Sequence, residues 1–251
     1  MLWRTEFGKN LPVFLACYAV VAVVGAAALI FRDVVALEAV QAFGVMLAWA
    51  AAVVYSSATL FAYFALGRDL LLHIGSVGRV SVLLMKAAVL GVLLYALHAV
   101  TFIFEARTIA DAAGSRFPAV LAYLWGGKAL SIVAFLTLSL FLSAAVKLLC
   151  GRGALIAAYA VIIVGVVIAQ AIALWRIGAP TTTHFAVGVG GDFFTANLYA
   201  NVLPLTLTGP GEGLLPPITG VGLLLNGGAA VILLALWLLL VRTRGLNFYA
   251  V

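Results

Sequence analysis

Six strongly apolar stretches of this chain contain no Asp, Glu, Lys or Arg: 10–31, 39–67, 87–104, 129–146, 153–175 and 213–241. Each is about as long as the roughly 20 apolar residues that carry a helix across a bilayer. The charges between them are sorted by sign. Both termini and the even-numbered gaps hold Arg4, Lys9, Arg68, Arg79, Lys86, Lys147, Arg152, Arg242 and Arg244, opposed by Glu6 and Asp69. The odd-numbered gaps set Arg32, Arg107, Arg116, Lys128 and Arg176 against Asp33, Glu38, Glu105, Asp111, Asp192 and Glu212. A basic excess marks the cytoplasmic side, so the pattern predicts six crossings with both termini in the cytoplasm.

Composition closes off other classes. The chain is 66% hydrophobic and 9% charged, against about 25% charge in soluble domains. Its apolar content runs through all 251 residues, so a single transmembrane domain over 1–251 is expected. The net charge of +6 lies beside the spans, where it sets orientation and meets anionic lipid headgroups; nucleic acid is not an expected partner. Cys17 and Cys150 both fall toward the reducing face, which argues against a structural disulfide. Gly25-Ala26-Ala27-Ala28 has the look of a signal cleavage site, but the run from Leu11 to Phe31 exceeds the 7–15 residues of a signal core. A retained helix is expected.

The predicted architecture is all-α, with spans at about 11–31, 41–66, 83–104, 125–147, 154–175 and 218–241. Residues 1–10 read as an interfacial segment, with Leu2, Trp3 and Phe7 in the interface and Arg4, Glu6 and Lys9 toward water. Pro12 then suits a helix start. After the second span, Leu70, Leu71, Leu72 and Ile74 precede Gly75, Ser76 and Gly78, a pattern for a short amphipathic helix on the cytoplasmic face. The fourth span begins near Pro118 or near Lys128. The segment 176–212 is the longest connection, and its apolar stretch 193–207 predicts an interfacial or re-entrant outer element. Ser139 and Ser143 share a face and permit close helix packing.

Chemistry-bearing clusters are sparse. His73, His98 and His184 fall in an inner loop, a span and an outer loop, so they do not converge as ligands of one metal or haem. His98, within a span, is a candidate functional residue; a neutral His bonded to a neighbouring helix is the simpler reading. Gly126-Gly127-Lys128 fails as a phosphate loop, because Ala122 and Ala129 stand where Gly and Ser/Thr are required. Lys128 is expected at a helix start, its charge reaching the interface. The charge-free spans contain no carboxylate, which disfavours a proton- or sodium-coupled transporter. Catalytic residues, metal ligands and a cofactor site are not expected.

Residues 68–86 carry a family resemblance. Asp69, Leu70-Leu71-Leu72, Gly75-Ser76-Val77-Gly78-Arg79 and Lys86 resemble a stretch in export-class permease subunits of bacterial ABC transporters. Members often carry an acidic residue, apolar residues, a Leu-Pro-Val-Ser-Arg-like run and a Lys seven positions after the Arg. Val77, Arg79 and Lys86 fit, while Gly75 and Ser76 replace the Leu-Pro pair. The resemblance implies that this segment is a coupling helix seated on an ATP-binding subunit through Asp69, Leu71, Ile74, Val77, Arg79 and Lys86. It further implies a bacterial inner-membrane permease dimer, identical or homologous, with ATP and Mg bound in separate ATPase chains. The substrate class expected is amphipathic or apolar: a peptide, lipid-like molecule or drug. Tyr55, Ser56, Tyr63, Tyr95, His98, Ser139 and Gln170 are the candidate polar contacts along its path. The competing readings are an anchor subunit of a larger membrane complex and a cofactor-binding membrane oxidoreductase.

Overall fold

The computed structural model describes residues 2–31, 35–65, 79–150, 154–176, 183–189, 192–197, 206–208 and 220–243. Among these residues the α-helices are α1 (Leu2–Ile30), α2 (Val35–Ala65), α3 (Arg79–Ala113), α4 (Phe117–Leu149), α5 (Leu155–Arg176) and α6 (Gly220–Thr243). Five of them contain an apolar stretch long enough to cross a membrane, namely Trp3–Ile30, Phe43–Ala65, Val80–Phe104, Phe117–Leu149 and Asn226–Thr243. The chain is therefore a multi-pass membrane protein. In α5 the described apolar stretch is Leu155–Gly165. At 1.5 Å per residue, helices of 29–35 residues outrun a hydrocarbon core of about 30 Å; they tilt, or their ends stand among the headgroups.

Helix α4 lies at the centre. Of its most apolar window 72% is buried, against 22% for α1 and 17% for α6. It packs on α2, α3, α5 and α6, while α1 leans on α2 and α3. The core gathers Phe14, Trp49, Phe64, Phe135 and Trp237, all at most 1% exposed. Val23, Ile30, Val161 and Leu224 are more than two-thirds exposed, an apolar outer surface suited to lipid. Gly25 allows α1 and α3 to approach: a Cβ there would overlap the ring of Phe104. Between α3 and α4, a single 3-10 turn at Gly114–Arg116 is entered through Gly114 at φ 53°, left-handed backbone that glycine adopts without strain.

Two expectations are corrected, and one that the sequence left open is decided. There is no separate N-terminal interfacial segment: α1 is continuous from Leu2 and Pro12 lies inside it. The proline removes one backbone donor, a loss membrane helices tolerate when other groups serve the freed carbonyl; that carbonyl belongs to Gly8, which is exposed. Helix α4 takes the earlier of its two starts, Phe117, and α3 extends through most of the outer segment 105–117. The described part of the 176–212 connection holds a three-stranded antiparallel sheet, β1 (Thr183–Val189), β2 (Asp192–Asn197) and β3 (Thr206–Thr208). Its ladders pair Val187 with Phe194 and Ala196 with Leu207. Of the stretch 193–207, expected as an interfacial or re-entrant outer element, residues 193–197 and 206–207 belong to these strands and 198–205 lie outside the described residues. The membrane-crossing part is all-helical as expected.

Candidate functional site

The end of the bundle that holds the start of α1 carries a buried polar network. On α1 the buried residues Glu6, Asn10, Phe14, Cys17 and Val21 recur at spacings of four and three, one helical face. That face turns toward α2 and α3. Lys86, two turns into α3, donates to Glu6 Oε2 at 2.6 Å, with the side chains 2% and 1% exposed. The Lys86 ammonium also lies 4.6 Å from the centroid of the Tyr63 ring on α2. Asn10 Nδ2 donates to the Glu6 carbonyl at 2.7 Å, and its Oδ1 accepts from the Tyr55 hydroxyl at 3.0 Å. The other Glu6 oxygen, Oε1, makes no hydrogen bond and lies 4.0 Å from the half-exposed ammonium of Lys9. An isolated charge is costly to bury; pairing at 2.6 Å is what lets these two remain inside.

A second tie lies at the same end. Lys147 Nζ, near the end of α4, donates to the carbonyl of Phe64 near the end of α2, at 3.3 Å. Deeper in the bundle, Lys128 is fully buried with its ammonium 3.9 Å from the centroid of the Trp49 ring. This corrects the expected interfacial position: Lys128 lies well inside α4, and its face meets α2. Ser57 and Tyr159 share a 2.6 Å hydrogen bond between α2 and α5, Phe61 stacks on Tyr159 with centroids 4.3 Å apart, and on α4 Ser143 Oγ donates to the carbonyl of Ser139 at 2.6 Å.

The candidate residues from the sequence divide. Asp69, Leu71, Ile74 and Val77 lie outside the described residues, Arg79 opens α3, and only the backbone of Gln170, in α5, is described. Lys86 faces Glu6 inside the bundle, where a docking partner does not reach it. Tyr55 and Tyr63 join the charged network. Ser56 bonds back to the Ala52 carbonyl. His98 is buried among Tyr95, Phe102 and Trp125, with ring centroids 5.1–6.2 Å away. The Tyr95 hydroxyl reaches the Trp125 carbonyl at 3.4 Å. Among the described side chains of this set, Tyr55 and Tyr63 stand in one cluster and Tyr95 and His98 in another. An apolar groove of about 450 Å³ does run between α3 and α4, reaching Leu234 of α6, over Ala87, Gly91, Ile132 and Leu136 with Tyr95 at its wall.

Sequence reasoning missed the inward position of Glu6, Asn10 and Lys128. For the first two a signal existed: the period that places Phe14, Cys17 and Val21 in the core runs back unbroken through Asn10 to Glu6. Among the described residues no group of three or more His, Cys, Asp or Glu is arranged to hold a metal. The chain matches no protein family, no curated protein and no solved structure.

Proposed function

We propose that this chain is the transmembrane permease subunit of an ATP-driven ABC export system, paired with a second permease and two ATPase chains that bind ATP and Mg and carry out the hydrolysis. Both termini would face the cytoplasm of a bacterial inner membrane. One observation carries the reading: both helices flanking residues 66–78 are fastened to other helices. Phe64, at the end of α2, is tied to Lys147 of α4, and Lys86, at the start of α3, to Glu6 of α1. A push on the connection between them therefore reaches α1 and α4 as well. The sequence between them carries Leu70, Leu71, Leu72 and Ile74, apolar residues suited to a partner's groove. The groove between α3 and α4 supports an apolar or amphipathic substrate: its two polar groups, Thr137 and Tyr95, already bond to carbonyls.

The test is Leu71→Asp combined with Ile74→Asp. Charge placed on the docking face is costly to desolvate, so co-purification with a candidate ATPase subunit, and transport in membranes, should both fall while the permease still inserts and folds. Arg79→Ala should weaken coupling less, as a charge at the rim of a docking surface contributes about 0–1 kcal/mol. Intact association and transport in the double variant would reduce 66–78 to an ordinary loop and favour the anchor-subunit reading.

A further inference from the structure

We infer that Glu6 is the moving contact of a two-position latch between α1 and α3, closed on Lys86 and able to open onto Lys9. Two lysines surround its carboxylate. Oε2 is held by Lys86 of α3 at 2.6 Å. Oε1 makes no hydrogen bond and points toward Lys9, 4.0 Å away on the same helix. A buried ion pair ordinarily resists opening, because each partner is left as an uncompensated charge. Here both partners have a second position. Glu6 turns to Lys9, whose ammonium is half exposed on a stem long enough to swing in. Lys86 already lies over the face of Tyr63 on α2, which attracts a cation once the carboxylate leaves. Asn10, bonded to the Glu6 carbonyl and to Tyr55, keeps that turn of α1 on α2 in either position. The hinge of the motion lies at the far end, where Gly25 of α1 is packed on Phe104 of α3. Two discrete pairings of one charge make a bistable contact, the kind of element through which a small displacement becomes a switch. The latch depends on these contacts alone and stands whether or not the chain couples to an ATPase.

The test is a double-variant cycle in the full-length chain, read as the yield and apparent melting temperature of monodisperse protein in detergent. Lys9→Met alone should change neither. Lys86→Met should still fold, since Glu6 passes to Lys9. Lys86→Met with Lys9→Met strands the carboxylate and should lose folded protein by about tenfold beyond the product of the single effects. Glu6→Gln added to that double variant should restore the yield. As a readout of position, spin labels at Gly8→Cys and Ser81→Cys, both exposed sites, in a background lacking Cys17 and Cys150, report the distance between α1 and α3 in lipid nanodiscs. Lys86→Met should lengthen it, and Lys9→Met should leave only its shorter component. The inference is overturned if Lys86→Met alone fails to fold, if Lys9→Met has the same effect in both backgrounds, or if neither lysine variant moves the distance.

Discussion

At the scale of single residues, the bundle joins its helices with polar contacts of very unequal weight. The Tyr159 ring contributes mainly through burial and its stacking on Phe61; its hydroxyl adds one bond to Ser57. Interhelical hydrogen bonds in membranes average about 0.6 kcal/mol, since the unfolded helices also find partners. Tyr159→Phe should therefore lower unfolding stability in detergent by less than about 1 kcal/mol. Tyr159→Ala, which empties a buried aromatic site, should cost about 3–5 kcal/mol. Equal losses in the two variants would make the hydroxyl the main contributor. The inward placement of Glu6 follows the same logic of context. Read alone, a carboxylate near a chain start belongs in water; what draws it inside is Lys86, eighty residues on, a pairing that local pattern does not express.

At the scale of elements, helix-to-helix distance is set by small residues at the crossings. Gly25→Leu would drive a side chain into the ring of Phe104 and should destabilise the α1–α3 contact by about 1–3 kcal/mol, the usual cost of overpacking. Phe104→Ala should recover part of that loss by vacating the space. Thermal unfolding of the two single variants and the double variant measures the coupling; strict additivity would show that the crossing does not depend on this contact. The helices themselves were legible, because 20-residue apolar runs have few alternatives in a bilayer. Their ends were less so. Helix α3 extends through 105–113 although Glu105, Arg107 and Asp111 interrupt its apolar character: Arg107 and Asp111 stand one turn apart, 3.9 Å between charged atoms, and suit a solvated helical turn.

At the scale of the whole molecule, the alternation of charge sign predicts orientation. Reporter fusions after Arg116 and after Glu212 should read outside the membrane, and fusions after Arg79 and after Val251 inside. A cytoplasmic reading for 176–212 would overturn the six-crossing topology. The helix contacts agree with alternating directions: α1 and α3 meet start to start at Glu6 and Lys86 and end to end at Gly25 and Phe104, as two parallel helices separated by one antiparallel helix do. Which end faces which compartment rests on the basic excess near the termini.

The sequence by itself determined that this chain is membrane-embedded, helical and sorted by charge, because transfer of apolar surface and of charge between water and hydrocarbon depends on local composition. It also contained the buried face of α1, written in the spacing of Glu6, Asn10, Phe14, Cys17 and Val21. Only the tertiary structure decided that Lys86 turns inward to Glu6, that Lys128 lies under Trp49, and that Tyr55 and Tyr63 join one network while Tyr95 and His98 join another. Those outcomes depend on which helices become neighbours and in what rotation. A buried charge takes its position from its partner, and the partner is on another helix.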